Sequence, residues 1–255
     1  MVKKDNPAGR LYAILREVER QNDQEPTRKA WAIVFGVSEK DELEILRGLV
    51  DMQLLVDETE NLISNNEQLN SELFLKSFHQ LKRAVSAQSL ANPWKTYKVG
   101  LTVDAMTRLE FCAEVLSTTH QENLLASEEL DQLKKSLDEV MEFAEKSDIE
   151  YELKIFVLSK MELIRRGIFD YKINGASALR GVLESIIGST VTESNKYREV
   201  KENNEEILER LGRLLDRIDG LMSKALKVKR VLAKTAKVLG LPWLKPEEDS
   251  DDGET

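Results

Sequence analysis

The sequence predicts an all-α protein, and three of its features favour that fold class. Only 12 glycines and 5 prolines, the residues that interrupt helices, occur among 255 residues. Charged residues make up 33% of the chain, and the helix-favouring residues Leu, Glu and Lys are frequent. Apolar residues recur at helical spacing, without the β-branched clusters typical of strands. We therefore predict a multi-helix bundle of about eight or nine helices, with a long C-terminal heptad-bearing helix and a disordered acidic tail.

Capping residues and helix breakers place the elements of the N-terminal region. Asn6 and Pro7 begin the first helix, because Asn caps free backbone amides and Pro is tolerated in a first turn. Pro26 begins a second helix that Gly36 ends, and a break at Asn65 ends the third. The predicted helices in this region cover 7–21, 26–36, 39–64 and 69–87.

The remaining elements follow one long loop, residues 89–100. Trp94 lies in this loop, and we interpret it as a plug for the end of the bundle rather than a base-stacking surface. Ser147 and Glu150 form a capping-box pattern at the start of a helix. The predicted helices here cover 102–119, 127–146, 148–169, 175–188 and at most 195–240. We group the chain into regions 1–90, 91–190, 191–244 and the tail 245–255.

Residues that carry familiar enzyme chemistry are sparse. The two histidines, His79 and His120, lack the preceding glutamate of di-iron helices. Cys112, the single cysteine, excludes an internal disulfide and lies in an apolar context that indicates packing. The sequence has no HExxH, phosphate-binding loop, dinucleotide fingerprint or nucleophile elbow. We predict no catalytic residue, metal site or cofactor, and we favour a non-enzymatic protein over an enzyme.

Charge and hydropathy disfavour two classes of partner or location. The longest apolar run, Ala30–Phe35, is far shorter than the roughly 20 residues of a membrane-spanning helix. The N-terminus lacks the apolar stretch of a signal peptide, so we expect a cytoplasmic protein. The segment around Gly36 has helix-turn-helix spacing, but Glu42 stands where a buried apolar residue belongs, and its neighbours are acidic. With a net charge of −9, nucleic acid is a disfavoured partner.

The segment 171–188 has one face of small residues, Ala178, Gly181, Ser185 and Gly188. Two glycines inside a helix cost about 1 kcal/mol each, so we expect this face to make a close helix crossing. The start of the same helix exposes backbone amides among cations, which is typical of an anion site. The candidate residues for a small anionic ligand are Arg165, Arg166, Gly175, Ser177 and Arg180.

The C-terminal helix carries an apolar heptad seam. The seam residues are Ile207, Leu211, Leu214, Ile218, Leu221, Val228 and Leu232. An unbroken helix over 196–239 would be about 66 Å long, which exceeds the diameter of about 42 Å expected for the preceding domain. The exposed part would need a partner chain unless the helix breaks at Gly212 or Gly220, of which Gly220 is favoured.

The opposite side of this helix is basic. Its cations are Lys227, Arg230, Lys234 and Lys237, and they precede six acidic residues between Glu247 and Glu254. The leading hypothesis is a non-enzymatic protein that self-associates or docks another protein through its C-terminal helix. One alternative is a membrane-recruited or membrane-active helical effector that uses segment 224–245, masked by the acidic tail. A further alternative is an enzyme or anion-binding protein with its site near 165–181.

Overall fold

A computed structural model of the chain describes residues 2–86, 89–197, 205–227 and 230–232. Within these ranges the protein is all-α, as predicted, and contains no β-strand. The helices are α1 (Pro7–Glu19), α2 (Thr27–Phe35), α3 (Glu42–Ser64), α4 (Ser71–Leu75), α5 (Phe78–Ala84), α6 (Lys95–Lys98), α7 (Val103–Thr119), α8 (Ser127–Lys146), α9 (Tyr151–Asn174), α10 (Ala176–Tyr197) and α11 (Glu205–Leu226). The predicted helix over 69–87 is divided into α4 and α5, and the predicted loop contains the short α6.

The chain forms two compact units. The first comprises Met1–Glu122 and Lys172–Gly175, and the second comprises Asn123–Tyr171 and Ala176–Thr255. This division differs from the predicted boundaries at 90 and 190, because α7 packs against α1 and so belongs to the first unit.

Local sequence signals account for several helix ends in the first unit. The Asn6 side chain accepts a hydrogen bond from the Gly9 amide at 3.0 Å, which caps α1 as predicted. Gly36 ends α2 in the left-handed conformation with φ +70°, where a glycine has no steric penalty. Trp94 is fully buried, and its ring packs edge-on against Trp31 with 5.8 Å between ring centroids. The burial of Trp94 agrees with its predicted role as a plug.

A buried polar cluster joins distant segments of the first unit. The Arg10 side chain is 4% exposed, and its Nη1 pairs with Glu122 Oε2 at 2.7 Å. Its Nε donates a hydrogen bond to the Ile173 carbonyl oxygen at 3.0 Å. Gly175, with φ +60°, lies directly against the Arg10 guanidinium, and a Cβ there would come within 2.7 Å of Nη1. The segment 172–175 is thereby attached to α1.

In the second unit, α8 and α10 pack against α11. The seam residues Ile207, Leu211, Leu214, Ile218 and Leu232 are buried in this core, and Leu221 is partly buried. Val228 lies outside the described residues. The described part of the seam is therefore covered by helices of the same chain.

The expected course of the C-terminal helix is wrong. α11 ends at Leu226, so it is about 33 Å long rather than 66 Å. The favoured break at Gly220 is also absent, because both Gly212 and Gly220 lie inside α11. Lys227 leaves the helix with φ +54°, and residues 230–232 then lie back along α11.

The capping box expected at Ser147 does not form. The Ser147 hydroxyl instead donates to the Phe143 carbonyl oxygen at 2.6 Å and so ends α8, while α9 begins at Tyr151. The reason is that Ser and Thr hydroxyls can also satisfy the carbonyl four residues before them.

The predicted close crossing at the small-residue face is wrong as well. Gly181, Ser185 and Gly188 are exposed, and an added Cβ at either glycine would meet no atom of the described residues within 4 Å. The close approach in this unit occurs instead at Gly167 of α9, where a Cβ would lie 2.7 Å from Val182 Cγ2 on α10. Helical spacing identified a distinct face but not the side of the helix that meets a neighbour.

We expect Gly181→Ala to stabilise the second unit by about 0.5–1 kcal/mol, because alanine loses less backbone entropy in a helix and meets no obstacle here. Urea unfolding followed by circular dichroism would measure the change. Ser185→Ala on the same exposed face is the matched control and should give a smaller gain. A lower stability of the alanine variant at 181 would show that this face is covered in solution.

Candidate functional site

Four cations lie on one side of α11, at Arg210, Arg213, Arg217 and Lys224. Their spacing of three, four and seven residues corresponds to whole turns of a helix, so their side chains share a face. The apolar seam occupies the buried face of the same helix. α11 is consequently amphipathic, with three arginines and a lysine along one edge.

This arginine-lined edge borders an open groove between α8 and α11, which we call the α8–α11 groove. Its volume is about 630 Å³. Val140, Leu214 and Leu221 supply apolar lining, and Ser136 and Glu139 of α8 form part of the opposite wall. The remaining lining residues are Glu129, Arg210, Arg213, Asp216, Arg217, Gly220, Lys224 and Arg230.

Two neutral side chains, an aromatic ring and one carboxylate orient two of the arginines. Arg217 donates from Nη1 to the Ser136 hydroxyl at 3.0 Å and from Nη2 to the Gln132 amide oxygen. Arg210 lies over the Phe143 ring, with Cζ 4.3 Å from the centroid, and pairs with Glu206 Oε1 at 2.6 Å. These contacts hold the guanidinium groups at the groove while α8 and α11 remain packed together.

The other two cations of α11 are held weakly. Arg213 Nη1 lies 3.7 Å from Glu209 Oε2, and the Arg213 side chain is 50% exposed. Lys224 Nζ lies 3.4 Å from Glu129 Oε1, and its side chain is 73% exposed. Exposed pairs of this kind contribute little to stability, so both cations can exchange their partners for a ligand at small cost.

The fifth cation, Arg230, reaches the groove because the chain reverses direction after α11. The Asp219 carboxylate accepts hydrogen bonds from the Val231 amide at 3.0 Å and the Leu232 amide at 2.9 Å. Arg230 then lies across Gly220, where a Cβ would approach Nη2 to 2.6 Å, and its Nη1 is 3.6 Å from Asp216 Oδ1. The glycine at 220 therefore makes room for a guanidinium and does not act as a hinge.

The groove lining is richer in cations than in carboxylates, in a protein of net charge −9. Five cations and three carboxylates line it, and two further carboxylates, Glu206 and Glu209, pair with the lining Arg210 and Arg213. The Glu129 carboxylate is already engaged, since it accepts a hydrogen bond from the Ala126 amide at 2.8 Å as well as pairing with Lys224. The groove can accordingly attract an anionic group.

The predicted basic face is represented in the described residues by Lys227 and Arg230. Lys227 is exposed beyond the end of α11, whereas Arg230 lines the groove. Lys234 and Lys237 lie outside the described residues, and so does the acidic tail.

The residues of the predicted anion site near 165–181 lie on α9, at Gly175 and in the first turns of α10. Arg165 pairs with Glu162 at 2.8 Å, Arg166 with Asp170 at 3.6 Å, and Arg180 with Glu184 at 2.8 Å, each within its own helix. Ser177 is exposed at the start of α10, and Gly175 lies against the Arg10 guanidinium in the first unit. Each of these three guanidinium groups has a carboxylate partner in its own helix, as Arg210 and Arg213 of α11 also do.

Sequence reasoning missed the cations at 210, 213 and 217. Each is close in sequence to a glutamate or aspartate, so the segment reads as mixed charge. The available signal was the arginine spacing itself, which places all three on one helix face. The groove that they share with α8 depends on contacts between residues far apart in sequence. Arg217 and Ser136, for example, are 81 residues apart.

The other residues considered for catalysis, Cys112, His79 and His120, lie in the first unit. Burial raises the pKa of the Cys112 thiol to about 12, so the thiol stays protonated and unreactive at neutral pH. His79 and His120 are exposed, and each ring contacts a residue close by in sequence.

The described residues contain no cluster of His, Cys, Asp and Glu suited to a metal ion. Among the same residues, no helix has the length and apolarity needed to cross a bilayer.

No protein-family model matches the chain, and neither the curated proteins nor the solved structures include a significant match to it.

Proposed function

We propose that this chain is a non-enzymatic helical interaction protein that docks an acidic segment of a partner protein in the α8–α11 groove. The observation that carries this proposal is the convergence of five cations on one groove with apolar lining. The proposal keeps the C-terminal helix as the docking element. It assigns docking to the arginine edge of that helix and not to its apolar seam.

The chemistry of the groove favours a carboxylate-bearing ligand. Guanidinium groups present paired N–H donors that match carboxylates and phosphates, and such charge-assisted hydrogen bonds are stronger than neutral ones. Leu221, the partly buried apolar residue of the lining, would contact the apolar face of an amphipathic segment. An acidic amphipathic helix or strand therefore fits both parts of the lining.

Two earlier alternatives receive less support from the described residues. Self-association through the seam would require Leu211, Leu214 and Ile218, which the same chain buries. Membrane recruitment would use segment 224–245, most of which lies outside the described residues. A concave groove between two helices also suits a single peptide segment better than a flat bilayer.

Binding of a fluorescein-labelled synthetic peptide, with one glutamate face and one leucine face, would test the proposal by fluorescence polarisation at low salt. We expect the double variant Arg213→Glu/Arg217→Glu to weaken binding at least about tenfold, since each lost charge-assisted hydrogen bond contributes about 1.5 kcal/mol or more. Binding by the wild type should also fall as salt is raised.

Arg165→Glu/Arg166→Glu is the matched control, because it reverses the same number of arginines at positions of α9 that do not line the groove. It should change the affinity less than about twofold. Equal losses in the two double variants would refute the groove as the binding site. Binding to anionic vesicles but not to the peptide would instead favour the membrane alternative.

A further inference from the structure

We infer that the acidic C-terminal segment 247–254 binds in cis in the α8–α11 groove and competes there with the partner's acidic segment. This inference rests on the proposed function and adds a means of regulating it. The segment contains six carboxylates, Glu247, Glu248, Asp249, Asp251, Asp252 and Glu254. It thus has the same chemistry as the proposed partner segment.

The chain leaves the described structure beside the groove. Arg230 lines the groove, and the Leu232 amide is hydrogen-bonded to Asp219 of α11 at 2.9 Å. The Leu232 side chain is fully buried, so this point of the chain is attached to the second unit. The tail therefore starts from a fixed position next to the cations that it is proposed to bind.

The distance to be covered is short compared with the length of chain available. Fourteen residues separate Leu232 from Glu247, and the fifteen Cα–Cα steps between them could extend to at most about 50 Å. The α11 edge of the groove, from Arg210 to Lys224, is about 21 Å long. The acidic segment can consequently reach any part of the groove.

Attachment makes even a weak interaction effective. Short connections give effective concentrations of the order of 1 mM, so a segment with an intrinsic Kd of about 0.1 mM would occupy the groove about nine-tenths of the time. A partner would then bind about tenfold more weakly than to an unoccupied groove. The five cations that line the groove supply the attraction.

A fluorophore at the end of the tail would report its docking without any added ligand. Thr255→Cys supplies a thiol for the label, while the native Cys112 is buried and would not be labelled. We expect the anisotropy of the label to fall in the Arg213→Glu/Arg217→Glu background and at high salt, because both release the tail. The Arg165→Glu/Arg166→Glu background should leave the anisotropy unchanged. An identical anisotropy in all three full-length proteins would refute docking in the groove.

Neutralising the six acids of the tail tests whether the tail competes with the peptide probe for the α8–α11 groove. The variant changes Glu247, Glu248 and Glu254 to Gln, and Asp249, Asp251 and Asp252 to Asn. Its affinity for the acidic peptide probe should be about tenfold higher than that of the wild type. The control carries the same change of net charge at six exposed acids outside the groove: Asp41, Glu42, Glu67, Glu114, Glu145 and Glu150. This control should increase the affinity far less, because its acids do not compete for the groove.

The two proposals fail in distinguishable ways. Equal binding of the probe by wild-type and tail-neutralised chains would refute the tail inference and leave the groove proposal intact. Absence of probe binding by both chains would refute the proposed function itself. A gain of the same size in the exposed-acid control would attribute the effect to overall charge and would also refute the tail inference.

Discussion

Replacement of Arg10 by methionine should destabilise the first unit by about 3 kcal/mol, since removal of one partner leaves a largely buried charge unpaired. The Glu122 side chain is only 20% exposed and pairs with Arg10 at 2.7 Å. The Ile173 carbonyl oxygen would also lose the hydrogen bond from Arg10 Nε. Methionine fills much of the vacated volume but supplies no donor for either oxygen.

The ion pair itself is not a simple gain in stability. Arg10 Nη2 is buried and has no hydrogen-bond partner among the described residues, so part of the guanidinium loses its hydration without compensation. We therefore expect Arg10→Met/Glu122→Leu to recover at least half of the loss, because the double variant no longer contains a buried unpaired carboxylate. Such a recovery would show that the ion pair holds the segment 172–175 in place without a large net contribution to stability.

Urea unfolding followed by tryptophan fluorescence is a suitable measurement, because the buried Trp31 and Trp94 both lie in the first unit. Arg28→Met is the matched control: its guanidinium is 49% exposed and pairs with a glutamate that is 40% exposed. The control should cost less than about 1 kcal/mol. Similar losses of unfolding free energy in Arg10→Met and Arg28→Met would contradict the expectation that the buried position of Arg10 makes its replacement more destabilising.

Gly167→Ala should destabilise the second unit by about 1–3 kcal/mol, the usual cost of overpacking a tight contact. The added Cβ would lie 2.7 Å from Val182 Cγ2 and 3.3 Å from Leu179 Cδ2. Val182 is β-branched and cannot easily rotate its methyl groups away within a helix. The backbones of α9 and α10 would have to separate at this point.

A compensating substitution makes this second prediction specific. Val182→Ala removes the obstructing methyl group, so Gly167→Ala should be much less harmful in the Val182→Ala background than in the wild type. Gly181→Ala is the control for a general effect of glycine replacement, since it lies in the open part of the same unit. Additive effects at 167 and 182, measured by unfolding in urea, would show that the two residues are not in close contact.

Local chemistry made the fold class and several boundaries predictable. The Asn6 cap and the left-handed Gly36 depend on residues within one or two turns of each other, and each can be recognised in the sequence. The periodicity of α11 likewise identified residues such as Leu211 and Ile218, which are buried. That pattern indicated burial without indicating which chain supplies the neighbour.

The sequence by itself therefore determined the all-α class, the limits of several helices and which face of α11 is apolar. Only the tertiary structure decided that this face is covered by α8 and α10, that Gly167 rather than Gly181 makes the close approach, and that the arginines of α11 share a groove with Arg230. The physical reason is that a cap or a periodic stripe arises from interactions over a few residues. A close approach or a binding groove arises from contacts between segments far apart along the chain, whose pairing no local pattern specifies.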